Sequence, residues 1–532
     1  MSELSPAARR RLFTACFIAL VTTAFAFMLR VQLMDTWEQV FDLDKTQKGT
    51  IFGAGFWPFG VSIVLFSLVL DRVGYGVAMA FAFCCFIAFA CLSIFATGFS
   101  MLYWASILGG LGAGTVEAVI NPLIADIYKE NKTKWLNILH AGWPGGLVVT
   151  GIVVLGISDA MMWQWKIALI IIPACIFGVM MLGVQFPLSE RVKAGISDRE
   201  MLRQVGWGGA FIVALLIVME LTTNVLGIGM LQNFGAQVVI AGFIAAIYGM
   251  FITDTKGDGL EGAIRSFGRP MYIFLLLIML ALATTELGTD AWVKDLLKPA
   301  IHSAMGIDSG WVLVYTAAIM MVLRFTCGPL IGALKPLGVL AASAAVVTVG
   351  IWWLSVLADD VAVGAVVILI AATIYAIGQT FFWPTTLGFV AEQFPKGGAM
   401  TINLIAGVGM LGVGVLGNPW LGNVQDTQVV AALQASNPEI AADYITHDKA
   451  SLFGTYSSLT AEGRNVALMD WGHHHSKFIQ DAQRTGKAKA LFAVSILPIV
   501  MLVSYLCLII WFRQRGGYQP VDIQGKGTTL ST

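Results

Sequence analysis

Charge is what this sequence has least of. Only 12% of its 532 residues are Asp, Glu, Lys or Arg, about half the share usual in a soluble globular chain. The 32 basic and 32 acidic groups cancel, which removes the basic face that a nucleic-acid partner needs. Cysteine is sparse: Cys16, Cys84, Cys85, Cys91, Cys175, Cys327 and Cys507 all fall in apolar stretches, so no disulfide framework is expected. No phosphate-cradling loop of the Gly-rich, Lys-terminated kind occurs, which argues against ATP as the driving force. No nucleophile–base constellation or metalloprotease pattern stands out, so neither an enzyme nor a cofactor is expected. No small-residue cleavage pattern follows Arg9–Arg11, and the first apolar helix is expected to stay attached.

What the sequence has is apolar length. A helix crossing a hydrocarbon layer of about 30 Å needs roughly 20 apolar residues. By that measure the chain is all-α and integral to a membrane, with fourteen spans at 11–34, 48–70, 75–97, 101–127, 135–157, 163–186, 206–226, 235–253, 270–293, 310–334, 338–358, 364–392, 399–422 and 488–512. The polar stretch 423–487 is the one large piece between spans, and its segments DTQVVAALQA and TAEGRNVALMDW are expected to form short helices over a mouth. It also contains three histidines at 473–475. Consecutive residues rarely present three imidazoles to one metal, so no metal site is expected. Alternate connectors hold nineteen Lys and Arg against five in the opposite set. That bias puts both termini, including the tail 513–532, in the cytoplasm of a plasma (inner) membrane and 423–487 outside.

An internal repeat organises the spans. GAGTVEAVINPLIADIYKE (112–130) resembles IYAIGQTFFWPTTLGFVAEQ (374–393) when Pro122 is laid on Pro384, a shift of 262. The same shift lays Glu117 on Gln379 and DRVG (71–74) on ALKP (333–336). Repeated halves are how many carriers build alternating access, with the solute near the midplane between them. The expected units are a six-helix bundle at 1–190, an inserted two-helix hairpin at 191–268, and a second six-helix bundle at 269–532.

At these residues the chain resembles the major facilitator superfamily. SLVLDRVGYG (67–76) follows that family's pattern after its second helix, with Asp71, Arg72 and Gly74 at matching positions; Ser67, Val69 and Tyr75 depart from it. The resemblance implies a tight turn at Gly74 and an Asp–Arg pair that grips helix ends while the inner side is closed. RFTCGPLIGALKP (324–336) resembles the counterpart in the second half. GLGAGTVEAVINP (110–122), WLNILHAGWPGG (135–146) and YAIGQTFFWPT (375–385) are most similar to the fucose, glucose and galactose proton-symporter group. In that group a helix-four carboxylate links sugar binding to protonation, and Glu117 matches it. A second carboxylate, on helix one, falls near Val31 and is absent; Arg30 sits beside the place.

A charged side chain at the bilayer centre costs at least about 2.5–3.5 kcal/mol, so ionisable residues inside spans are expected to be functional. They are Arg30, Glu117, His140, Glu220, Glu286, Asp290 and Arg324. Glu117 shares a helix face with Gly110, Gly114 and Asn121, spaced for close backbone approach. A carboxyl kept from water resists ionisation, the property a proton carrier uses. Glu286 and Asp290 lie four apart on one face. Arg30 has three readings: a snorkelling residue, a partner of Glu117, or a clamp for an anion. His140 and Asn137 share a face next to a Trp-Pro-Gly-Gly break and read as solute contacts. Tyr375, Gln379 and Phe382 are spaced 4 and 3 with Trp383 beside them, an aromatic platform with amides that suits a sugar. Glu220 reads as structural, and Arg324 and Glu392 as helix-end network residues. The expected solute is a monosaccharide or similar small polar molecule moved with protons by a monomer. The runner-up is an organic anion held by Arg30, and a receptor or outer-loop metalloprotein is remote.

Overall fold

A computed structural model describes residues 5–41, 43, 50–51, 53–157, 161–187, 189–227, 229–253, 266–291, 301, 310–359, 364–451, 453–467 and 474–522. Helices dominate, because apolar runs in lipid leave the backbone no other hydrogen-bond partner. In chain order they are α1 (Pro6–Phe41), α2 (Trp57–Val73), α3 (Tyr75–Ile94) and α4 (Phe99–Ile127). Next come α5 (Lys129–Gly156), α6 (Trp163–Met181), α7 (Asp198–Glu220) and α8 (Phe234–Ile252). The chain continues through α9 (Pro270–Ala291), α10 (Gly310–Phe325), α11 (Gly328–Ala358), α12 (Ala365–Gln393), α13 (Pro395–Ser436) and α14 (His474–Arg513).

Among the described residues, twelve helices are long and apolar enough to span a membrane. The spans expected at 48–70 and 310–334 are held by shorter helices, α2 of 17 residues and α10 of 16. Helix length therefore does not by itself establish the expected fourteen.

Glycine sets the closest approach in the first half. A Cβ at Gly110 would stand 2.9 Å from the carbonyl oxygen of Gly55, and one at Gly114 would stand 2.3 Å from that of Phe59. α4 therefore lies backbone to backbone on α2, which aims Glu117 inward. Gly74 joins α2 to α3 with φ +86, a conformation that favours glycine. In the second half Lys335 makes a comparable turn at φ 59, one position out of the 262 register. α7 and α8 pack on each other, and α7 reaches α13 and α9. α8 buries only one stripe, Gln237, Ala241, Ala245, Gly249 and Ile252, as a peripheral helix would.

α13 and α14 run far past the apolar core. At 1.5 Å per residue, 42 residues of α13 reach roughly 60 Å, about twice the hydrocarbon thickness. Their projecting ends are joined by a helix Pro438–Tyr444, an antiparallel hairpin of Ile445–Ser451 with Gly454–Leu459, and a helix Ala461–Val466. Val429, Leu433, Ile440, Leu459, Val466 and Ile479 give this piece a core of its own. The hairpin adds one small two-stranded sheet to an otherwise helical chain. DTQVVAALQA belongs to the end of α13 instead of a separate short helix. His473 lies outside the described residues, and His475 bonds the Tyr444 hydroxyl at 3.2 Å. Among the described residues no metal-binding cluster occurs, and all seven cysteines are free.

Candidate functional site

Three prolines set the architecture of the centre. A proline has no N–H for the carbonyl four residues back, and a carbonyl freed inside a membrane needs another donor. Pro122, Pro144 and Pro384 free the carbonyls of Ala118, His140 and Thr380. Asn403 of α13 donates from Nδ2 to Ala118 at 2.8 Å. Arg324 of α10 serves the other two, Nη1 to His140 at 2.9 Å and Nε to Thr380 at 2.7 Å. Its Nη2 donates to Glu286 Oε1 at 3.0 Å. Two of these bonds, to Ala118 and His140, run from the second half of the chain to the first.

The acids stand around that guanidinium. Glu286 sits in a single π turn, Thr284–Gly288, which abuts the π turn Val413–Gly417 of α13. Such turns re-aim side chains and recur at functional sites. Asp290 accepts from the Tyr375 hydroxyl at 2.8 Å and from Gln379 Nε2 at 3.1 Å. On the first-half side, Asn121 donates from Nδ2 to Glu117 Oε2 at 2.6 Å. Its Oδ1 lies 2.9 Å from His140 Nε2, so the imidazole must carry its proton on Nε2. His140, Asn121 and Glu117 thus form one oriented chain of hydrogen bonds.

Between these groups lies a cavity with about 650 Å³ of empty space, counting its open side. Glu117, His140, Glu286, Asp290 and Arg324 supply its polar wall. Phe27, Phe56, Phe59, Trp143 and Trp383 supply aromatic faces. Phe27 packs against Phe56 at 5.9 Å and Trp143 at 5.5 Å between ring centroids.

The expected residues divide accordingly. Glu117, His140, Glu286, Asp290 and Trp383 line the cavity. Asn121, Tyr375 and Gln379 stand behind it and orient the acids. Asn137 faces α12, donating to Thr385 Oγ1 at 3.1 Å. Arg30 is neither a lining residue nor a partner of Glu117; its one hydrogen bond is Nε to its own helix at Ala26, 3.1 Å. Arg324, expected as a helix-end network residue, stands in the last turn of α10, and its network reaches the cavity, which it lines as a cation. The signal for it was the pair of Trp-Pro breaks, each leaving a carbonyl in need of a donor.

The end of the molecule where α1 begins and α14 finishes is closed. Glu392 Oε1 accepts from the amide of Thr133 at 3.2 Å and its hydroxyl at 2.6 Å. Lys132 donates to the Ala391 carbonyl at 3.3 Å and to Glu190 at 2.9 Å. A Cβ at Gly388 would stand 2.5 Å from Thr133 Cα, so α5 and α12 touch through backbone there. The tail reinforces this: Tyr518 donates to Glu392 Oε2 at 2.5 Å, and Val521 N to the Glu392 carbonyl at 2.9 Å. Burial first, then the Glu392 carboxylate, push the Tyr518 phenol well above its ordinary value, so it remains a donor. Asp71 is gripped by Arg191, whose Nη2 also reaches Asp198 at 3.1 Å; Arg72 pairs with Asp198 at 2.6 Å. Here the two motif residues do not pair with each other.

A helical membrane fold whose halves are crosslinked around a polar cavity, closed at one end by side chains, defines the class of secondary carriers. The chain belongs to the Major Facilitator Superfamily, whose sequence model matches residues 11–418. No curated protein matches it. Among solved structures it is similar to the E. coli fucose:proton symporter, at 14% identity and TM-score 0.53, covering 92% of this chain and 98% of that one. The proton:xylose symporter bound to 6-bromo-6-deoxy-D-glucose matches at 11% and 0.59, covering 96% of each chain. The human organic anion transporter TETRAN matches at 11% and 0.57, covering 94% of this chain and all of that one, 100%. At such identities the likeness is one of fold.

Proposed function

We propose that this protein is a proton-coupled symporter of a monosaccharide or similar small polar solute, working by alternating access between two six-helix halves. The observation that carries the reading is the cavity itself, where three carboxyl groups, Glu117, Glu286 and Asp290, meet the aromatic faces of Trp143 and Trp383. A sugar ring offers one apolar face to an aromatic side chain and hydroxyls to carboxylates and amides. Arg324 is spent on Glu286 and two carbonyls, so it does not offer a free fork to an anion. Glu117 is the group assigned to take and release the proton, with Asn121 and His140 holding it in orientation. The closed α5–α12 contact belongs to the state in which the solute cannot reach the side of the termini.

The same reading places fourteen spans in the inner membrane, both termini in the cytoplasm, α7 and α8 as an inserted hairpin, and a monomer as the working unit. A second reading, an organic-anion carrier, draws on Arg30 and on the fold shared with TETRAN. Uptake into vesicles, with and without an imposed proton gradient, tests both. The leading reading expects a sugar to accumulate only with the gradient, and gradient-independent uptake of a carboxylate would overturn it.

A further inference from the structure

Among the described residues, Arg30 is unlike the other well-buried arginines. Arg324 spends its three nitrogens on Thr380, His140 and Glu286. Arg191 spends its own on Asp71, Ile196 and Asp198. Arg30 is 5% exposed, yet makes only the bond from Nε to Ala26. Its Nη1 is buried with no hydrogen-bond partner, and among the described residues no carboxylate pairs with it. A guanidinium kept from water without a counter-charge is the least favourable state an arginine can occupy.

The fold nevertheless makes room for it. A Cβ at Gly55 would lie 1.7 Å from Nη1 and 2.3 Å from Cζ, so only glycine admits the guanidinium at that point. Gly55 precedes Phe56, and Arg30 follows Phe27 by one helical turn; both phenylalanines line the central cavity. The fork therefore stands just beyond the aromatic wall, one turn further from the N-terminal end of α1 than Phe27. Its geometry suits two oxygens of one group, as carboxylate and phosphate present them.

We infer that Arg30 anchors an oxyanion subsite beside the cavity, which receives a carboxylate or phosphate carried by the transported solute. In its attachment to the solute this rests on the carrier reading above, and it narrows the solute to an acidic sugar or a similar polar acid. It also relieves a conflict of charge. The main cavity holds three acids against Arg324, so an anionic group is better placed behind Phe27 and Phe56 than among them.

The test uses the full-length protein and measures melting temperature at constant ionic strength with acetate or inorganic phosphate replacing chloride. The wild type is expected to be stabilised by an oxyanion over chloride. Arg30→Gln and Gly55→Ala should lose that stabilisation, and Arg30→Lys, which keeps the charge but not the fork, should lose most of it. Equal shifts in the wild type and Arg30→Gln, or no preference over chloride in the wild type, would overturn the subsite. D-glucuronate and D-glucose then separate the two proposals. Glucuronate binding at least tenfold weaker in Arg30→Gln, with glucose unchanged, supports attachment of the anion to the solute. Glucose binding without any oxyanion effect sinks the subsite and leaves the carrier reading standing. Phosphate protection without binding of either sugar supports the subsite and sinks the sugar reading.

Discussion

Pro144 withholds the amide proton that would have met the carbonyl of His140, and Arg324 supplies one in its place at 2.9 Å. The bond joins a helix break in the first half to the cation of the second. Pro384 repeats the arrangement at Thr380, so one guanidinium satisfies two broken helices and an acid. Arg324→Gln should therefore be costly, about 3–5 kcal/mol, because it strands Glu286 along with two carbonyls. Pro144→Ala restores a backbone donor for His140. In the Arg324→Gln background it should recover about 1 kcal/mol, read as a rise in melting temperature. In the wild type it competes with Arg324 and should give no such gain. Identical effects in both backgrounds would show that the two residues are not coupled through that carbonyl.

Glu392 divides its carboxylate between Thr133 and Tyr518, so the tail and the α5–α12 contact share an anchor. Removing a hydrogen bond to a charged group costs about 1.5–3 kcal/mol. Glu392→Gln and Tyr518→Phe should each shift the population toward opening at this end. Cys327 reports it, being 1% exposed and beside Lys134. With the other cysteines replaced by serine, its labelling should accelerate several-fold in both variants. Unchanged labelling in Glu392→Gln would show that the contact does not hold the gate.

The orientation is tested separately. Cysteine placed by Ser451→Cys should react with an impermeant reagent added outside, and Ser531→Cys should not. The reverse pattern would put the hairpin domain in the cytoplasm and invert the direction assigned to every gate.

Twelve of the apolar spans and the glycine stripe of α4 were legible because both follow from simple periodicity and size. Glu117, Glu286 and Asp290 were legible because carboxylates are scarce in apolar helices. Arg324 was legible as a helix-end network residue but not as a wall of the cavity. Its partners are carbonyls freed by prolines 180 and 60 residues away in round terms (Pro144 and Pro384), a relation no local pattern displays. The π turns at Thr284–Gly288 and Val413–Gly417 have no compositional signature either. The hairpin at Ile445–Leu459 had a weak one, Thr, Tyr and Ser around a Phe-Gly turn, which the surrounding helical stretches outweighed.

Glu117 decides the coupling mechanism. It is 4% exposed, lines the cavity, and its Oε2 accepts from Asn121, whose oxygen in turn faces His140. A group so placed can exchange a proton with the cavity while its hydrogen bond keeps it aimed. Glu117→Gln keeps the shape and imitates the protonated acid, but it cannot cycle. The variant should bind and exchange solute yet fail to concentrate it against a gradient, and its exchange rate should lose any dependence on pH that stems from this carboxyl. Counterflow in proteoliposomes measures the first property, and accumulation under an imposed proton gradient measures the second. Loss of both would make Glu117 a helix tether. Retention of both would move the coupling proton to Glu286 or Asp290, the remaining acids of the cavity wall.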